Sequence, residues 1–99
     1  MQERRTAERI RLNLKVRWEG LMTQGRGAVS DLSSTGCFVL SGGEVAAGEL
    51  IRLQIEFPRD VGIVWGQVIY SVAEIGFALR FAFGSEEEQR ALGRVIESV

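Results

Sequence analysis

Two short groups of residues stand out as able to do chemistry on a ligand. Arg5-Thr6-Ala7-Glu8-Arg9 sets two guanidinium groups four residues apart. Asp31-Leu32-Ser33-Ser34-Thr35-Gly36 brings a carboxylate, a hydroxyl and a glycine together within six residues. A guanidinium is a planar fork of N–H donors that meets a phosphate, or the paired O6 and N7 acceptors of guanine, bidentately, and it also stacks on flat rings. A carboxylate such as Asp31 accepts hydrogen bonds, Ser33 can donate or accept, and Gly36 permits a tight turn and close approach of the backbone. Each group alone also fits a plainer role: a solvated charged arm for the arginines, and an Asx-type turn closed by a left-handed glycine for the second.

The charge distribution favours an anionic ligand. Net charge is −1, yet six of the twelve basic residues (Arg4, Arg5, Arg9, Arg11, Lys15 and Arg17) fall within the first seventeen positions. Only Glu3 and Glu8 oppose them, so this stretch carries +4 and the rest of the chain −5. Such asymmetry between segments suggests that the basic one meets an anion. Catalysis is disfavoured. There is no histidine, which removes Ser-His-Asp triads, Cys–His pairs and His-ligated zinc, and no pair of acids is persuasively placed. No catalytic residue, metal ligand or cofactor is assigned. Cys37 is the single cysteine, cannot form an internal disulfide and fits a reducing, cytoplasmic compartment. No apolar run approaches the ~20 residues needed to cross a bilayer, and the arginine-rich start lacks the apolar stretch of a secretory signal.

The elements that must position these residues read as short strands. A length of 99 residues with 45% apolar and 25% charged composition is that of one globular domain, 1–99. Residues 1–10 lack periodicity and read as a flexible arm. From Leu12 the chain alternates, with Leu14, Val16 and Trp18 on one face and Asn13, Lys15 and Arg17 on the other, as a strand with one buried face does. Gly20–Gly27 reads as a turn, Ala28–Leu32 as a second strand and Cys37–Leu40 as a third. Leu50–Phe57 alternates again, Ile63–Tyr70 is β-branched and aromatic with Gly66 as a candidate bulge, and Ile75–Phe83 completes six strands. Alternation alone permits either a sandwich or a closed barrel. Ser85 followed by Glu86, Glu87 and Glu88 has a capping-box pattern, and Leu92, Val95, Ile96 and Val99 recur at helical spacing. A C-terminal helix of about four turns over 85–99 should lay that stripe on the sheet or over a barrel opening.

Taken together and in this order, the R-x-x-x-R arm (Arg5, Arg9), the alternating first strand, the D-x-S-x-x-G turn (Asp31, Ser33, Gly36), a glycine-containing last strand around Gly76 and a closing helix resemble the PilZ domain family over nearly the whole chain. The resemblance implies a mainly β fold: a six-stranded antiparallel barrel (11–83), preceded by an arginine-rich arm (1–10) and closed by a helix (85–99). It implies that the ligand is the bacterial second messenger cyclic di-GMP, with Arg5 and Arg9 on guanine and phosphate and Asp31 and Ser33 on the guanine side. Gly36 would let the backbone approach. Arg4 is an additional candidate contact, for a second, stacked copy of the ligand. A downstream protein partner would read the bound state through ordering of the arm.

Two other classes of function compete. A basic arm beside a small barrel also suits single-stranded nucleic acid, although the barrel portion is acidic and shows no evident outward aromatic row. A barrel of this kind could alternatively be a protein-interaction module that binds no nucleotide. Trp18, Trp65, Phe38, Phe57 and Phe81 are expected in the core because of their places in apolar runs, and Cys37 is expected to be a small packed residue rather than a redox sensor. Arg11 and Arg17 are expected as surface residues of the first strand.

Overall fold

The computed structural model describes residues 9–97. Six strands, β1 (Ile10–Glu19), β2 (Gln24–Leu32), β3 (Gly36–Leu40), β4 (Leu50–Glu56), β5 (Val61–Val72) and β6 (Gly76–Ala82), precede one helix, α1 (Glu86–Glu97). The strands form a closed antiparallel barrel in the order β1-β2-β3-β6-β5-β4, so a barrel and not a sandwich is the answer to the strand pattern. The seam that closes it is short: β4 returns to β1 over four pairs, from Val16↔Ile55 to Glu19↔Arg52.

The alternating strands behave as their period of two dictates. Val16 and Trp18 of β1, Ile51, Leu53 and Ile55 of β4, and Phe57 just beyond it all point inward. They meet Val29, Leu32, Val39, Phe77 and Leu79 in one continuous core. Trp18 is the largest fully buried side chain; its ring stands edge-on to Phe77 at 5.2 Å between centroids. Its Nε1 donates to Ser41 Oγ at 2.9 Å, so the one polar atom of the indole is satisfied inside the core.

Four sequence expectations need correction. The glycine-rich stretch 20–27 is mostly strand, because β2 begins at Gln24 and only the tip between it and β1 is a turn. Its glycines are there for room: a Cβ at Gly25 would meet the Trp18 ring at 2.9 Å, and one at Gly27 would run into the Leu40 carbonyl. Trp65 lies on the outside of β5 with 47% of its surface exposed, and Phe38 sits half-buried on the outside of β3. Both lie in runs where adjacent positions are apolar, so hydrophobicity cannot tell which parity faces in. Val64, Gly66 and Val68 take the inward positions of β5, and Leu79 fills the space over Gly66. Gly66 is regularly paired; the irregularity of β5 falls three residues later, between Val68 and Tyr70.

The helix begins with a modified capping box, in which the Glu88 carboxylate accepts from Gly84 N rather than from Ser85 N. Ser85 Oγ accepts from Glu88 N at 3.2 Å, while Glu88 Oε1 reaches back to Gly84 N at 2.7 Å. Leu92 and Ile96 are buried in the barrel core, and Ala91, Leu92 and Val95 share a cleft with Phe57, Gly62, Val64 and Phe83. The helix therefore covers the end of the barrel where β4 stops and β5 begins. Val99 lies outside the described residues. Among the described residues no helix is long and apolar enough to cross a membrane.

Candidate functional site

The site is built around the hairpin that joins β2 to β3. Ser33 N donates to Gly36 O at 2.9 Å, which closes the turn. Ser33 Oγ sits at its centre, accepting from Thr35 N at 3.2 Å and Gly36 N at 3.3 Å, with Thr35 Oγ1 also 3.2 Å away. At 2% exposure the Ser33 side chain is turned inward, and its hydrogen bonds are spent on the turn itself. Gly36 is not left-handed, as the plain Asx-turn alternative would have it: Gly48 is the only glycine with positive φ among the described residues. Gly36 is needed for close packing, because a Cβ there would lie 2.2 Å from the Leu79 carbonyl oxygen on β6. Thr35 O in turn accepts from Phe81 N at 2.8 Å, which fastens the turn to β6.

Asp31 stands two residues before Ser33, on the outer face. Register shifts flank it, between Arg11 and Leu14 on β1 and between Val29 and Asp31 on β2, and they re-aim the end of β2. Directly opposed residues of antiparallel strands share a face. The pairs Arg11↔Asp31, Asp31↔Phe38, Phe38↔Ala78 and Ala78↔Tyr70 therefore trace one outward row across five strands.

Arg9, just ahead of β1, comes back over this row. Its Nη1 lies 3.1 Å from Asp31 Oδ1, with the two side chains 62% and 32% exposed. The pair is close but poorly aligned: Oδ1 is buried and accepts no hydrogen bond. The guanidinium thus neutralises the carboxylate's charge without supplying an aligned hydrogen bond to that oxygen. Arg9, Ser30, Asp31, Phe38, Ile69, Tyr70 and Ala78 border an open cleft of about 390 Å³.

Of the residues singled out from the sequence, the structure brings Arg9 and Asp31 together at this cleft and places Ser33 and Gly36 in the β2–β3 turn, outside the cleft lining. Arg4 and Arg5 lie outside the described residues. Phe38, Ile69, Tyr70 and Ala78 were not legible as neighbours of Asp31, since only strand pairing brings them there, whereas Ser30 adjoins it in sequence. Among the described residues no group of three His, Cys, Asp or Glu side chains could hold a metal ion.

Cys37 lies under the cleft. Burial pushes its thiol up to about 12; the Asp31 carboxylate adds to the shift and the Arg9 guanidinium opposes it. The thiol is thus kept protonated and unreactive, as a packed strand residue should be. An unfolded thiol ionises near 9.0 and the folded one near 12, so between those values the native state binds the extra proton. Stability should therefore fall as pH rises through that window, by up to about 1.4 kcal/mol per pH unit. Urea unfolding of the wild type and of Cys37→Ala, below and above about pH 9, checks this. The variant should show the shallower alkaline decline.

The chain is a closed six-stranded barrel with a cleft on its outer wall, bordered by an arginine–aspartate pair. The PilZ domain family matches residues 3–98, and the chain belongs to that family. PilZ domains are cyclic di-GMP receptor domains, modules that bind and relay rather than catalyse. The fold is similar to the crystal structure of the PilZ domain of CeSA from a cellulose-synthesizing bacterium: TM-score 0.76, 14% identity, 92% of this chain and 96% of that one. It is also similar to the Bacillus subtilis inhibitor of motility, MotI/DgrA: TM-score 0.72 and 21% identity, covering 97% of this chain but 51% of that one. At these identities the likeness speaks for the fold alone. No curated protein matches the sequence.

Proposed function

We propose that this chain binds cyclic di-GMP on the outer wall of its barrel and presents the bound state to a downstream protein partner. The observation that carries the proposal is the Arg9–Asp31 pair at the cleft, with a buried Asp31 oxygen that accepts no hydrogen bond. The ligand offers two phosphates and two guanines. Arg5 and Arg9 supply guanidinium forks for phosphate and for a guanine Hoogsteen edge. Asp31 accepts from guanine N–H groups. Ser33 and Gly36 contribute by holding the turn in place, and Arg4 is positioned in sequence to meet a second copy of the ligand. Binding holds the arm, residues 1–10, against the outer wall, and so alters the surface that a partner meets. The energy for that change is the ligand's differential affinity for the closed arrangement. The protein acts in the cytoplasm, needs no cofactor besides this ligand and is not an enzyme.

The test is calorimetric titration of cyclic di-GMP into the wild type and into Arg5→Ala/Arg9→Ala, with GTP and single-stranded oligonucleotides as competitors. Expected is micromolar or tighter binding, about −8 kcal/mol or better, lost in the variant and indifferent to the competitors. A folded wild type that gives no heat overturns the proposal. Displacement by oligonucleotides with steep salt dependence would move the function to nucleic acid.

A further inference from the structure

Away from the Arg9–Asp31 cleft, the outer wall carries a second basic feature that neither motif uses. Where β4 closes onto β1, strand pairing sets six outward side chains in two rows across β4, β1 and β2. One row is Gln54–Arg17–Arg26 and the other Arg52–Glu19–Gln24. Arg17 and Arg26 stand directly opposite one another, and like charges so placed repel. Among the described residues neither has an ion-pair partner, since Glu19 is engaged by Arg52 at 3.5 Å. The rows border an open cleft of about 330 Å³. Three arginines against one glutamate give the patch +2, in a chain whose net charge is −1.

An apolar margin adjoins this patch. The second row continues onto β5, where Trp65 lies opposite Arg52 with 47% of its surface exposed. Beyond Glu19, the β1–β2 turn holds out Leu21 and Met22 at 82% and 91% exposure, the highest of the exposed large hydrophobics. These three residues and Leu50 line a cleft of about 660 Å³ that shares Glu19, Gln24 and Arg52 with the first. The turn is fastened in place. Leu21 N donates to Glu49 Oε2 at 2.8 Å, and Thr23 Oγ1 to the Glu44 carbonyl at 2.8 Å. Glu49 Oε1 also accepts from Ala46 N, so that carboxylate is committed to backbone donors.

We infer that this wall is the docking surface for a partner protein and takes a segment whose carboxylates stand beside apolar side chains. The inference rests on the proposed function for the existence of a partner, but not for the dinucleotide. Carboxylates of the segment meet the forks of Arg17 and Arg26 and relieve their mutual repulsion, while its apolar residues cover Trp65 and the Leu21–Met22 turn. Arginine, tryptophan and methionine are residue types that protein interfaces favour. Size decides against a nucleic acid: the patch spans about 10 Å across three strands and about 7 Å along them. A continuous run of phosphates would also have to cross Glu19, which a few placed carboxylates avoid. Arg26 and Asp31 lie about 17 Å apart along β2, at opposite ends of one hairpin.

The test is selection from a random displayed peptide library on the immobilised full chain. The best peptide is then synthesised and titrated into wild type, Arg17→Gln/Arg26→Gln, Trp65→Ala and Arg59→Glu. Arg59→Glu changes net charge as much as the double variant does, at an exposed turn position away from the patch. Selected peptides should set Asp or Glu next to Leu, Phe or Trp. They should bind the double variant and Trp65→Ala at least about tenfold more weakly than wild type, and Arg59→Glu within about threefold. The Trp65 indole N–H resonance should shift on binding. The double variant should melt at or above the wild-type temperature, because it removes a like-charge pair. None of these positions lines the Arg9–Asp31 cleft, so titration with cyclic di-GMP should be unchanged in every variant. Peptides without acids, undiminished binding to the double variant or an empty selection overturns the docking surface and leaves the receptor reading intact. So does a Trp65 shift produced by a single-stranded oligonucleotide or by phosphatidylglycerol vesicles and not by the peptide. If acidic peptides are selected as described but cyclic di-GMP gives no heat, the docking surface stands and the receptor reading falls.

Discussion

Arg9→Ala is expected to fold normally and to bind cyclic di-GMP at least about 100-fold more weakly than wild type. A hydrogen bond to a charged group is worth about 1.5–3 kcal/mol when a partner is left stranded, and a bidentate fork makes two of them. Stability should barely change, because the Arg9 side chain is mostly exposed and surface ion pairs contribute little. Arg9→Lys should not restore binding, since an ammonium cannot supply the planar fork. Asp31→Ala should lose a similar factor. It should also keep or slightly raise the melting temperature, because it removes a buried oxygen that accepts no hydrogen bond. The two residues face each other at 3.1 Å, so the double variant should bind little worse than either single one. A cycle of calorimetric titrations and thermal melts decides this. Losses below about tenfold that simply add would show that the two side chains do not act together on one ligand.

Gly36→Ala is expected to destabilise the barrel by about 3 kcal/mol, through overpacking rather than loss of any contact. The added methyl would lie 2.2 Å from the Leu79 carbonyl oxygen, and that carbonyl is backbone within the β3–β6 ladder. Relief requires moving a strand, and the turn is also bonded to β6 through Thr35 O and Phe81 N. For a domain of this size the melting temperature should fall by roughly 10–20 °C. Gly93→Ala is the control: nothing lies within 4 Å of a Cβ there, and within α1 the substitution should stabilise by up to about 1 kcal/mol. Denaturant midpoints at constant m-value measure both. Binding by Gly36→Ala should weaken in step with the turn's stability. A variant as stable as wild type would mean that the close approach is not rigid.

The sequence is most readable where only one parity of a strand is apolar. Leu14-Lys15-Val16-Arg17-Trp18 and Ile51-Arg52-Leu53-Gln54-Ile55 declare their inner faces, and those residues carry the core. It is least readable where both parities are apolar, as in Ile63-Val64-Trp65 and Cys37-Phe38-Val39, and there Trp65 and Phe38 turned out to face outward. Glycine misled in a different way. In β2 it makes space for Trp18 and Leu40, which are distant in sequence, and local turn propensity cannot foresee that. The site divides along the same line. Arg9 and Asp31 are legible because their spacing is local and their chemistry explicit. Tyr70 is not, because its place depends on β3, β6 and β5 lying side by side and on one extra residue in β5.

The short seam between β1 and β4 also restricts how another protein can read this one. Over those four pairs the backbone donors and acceptors that an open sheet would display are already matched, so an incoming chain cannot extend the sheet there by adding a strand. Recognition at that closed wall must go through side chains. The wall on which the dinucleotide is proposed to sit is itself made of paired strands, so what a visitor could detect there is a change of texture and charge when the dinucleotide covers the cleft at Arg9 and Asp31. The messenger would then be part of the epitope rather than a distant trigger for it.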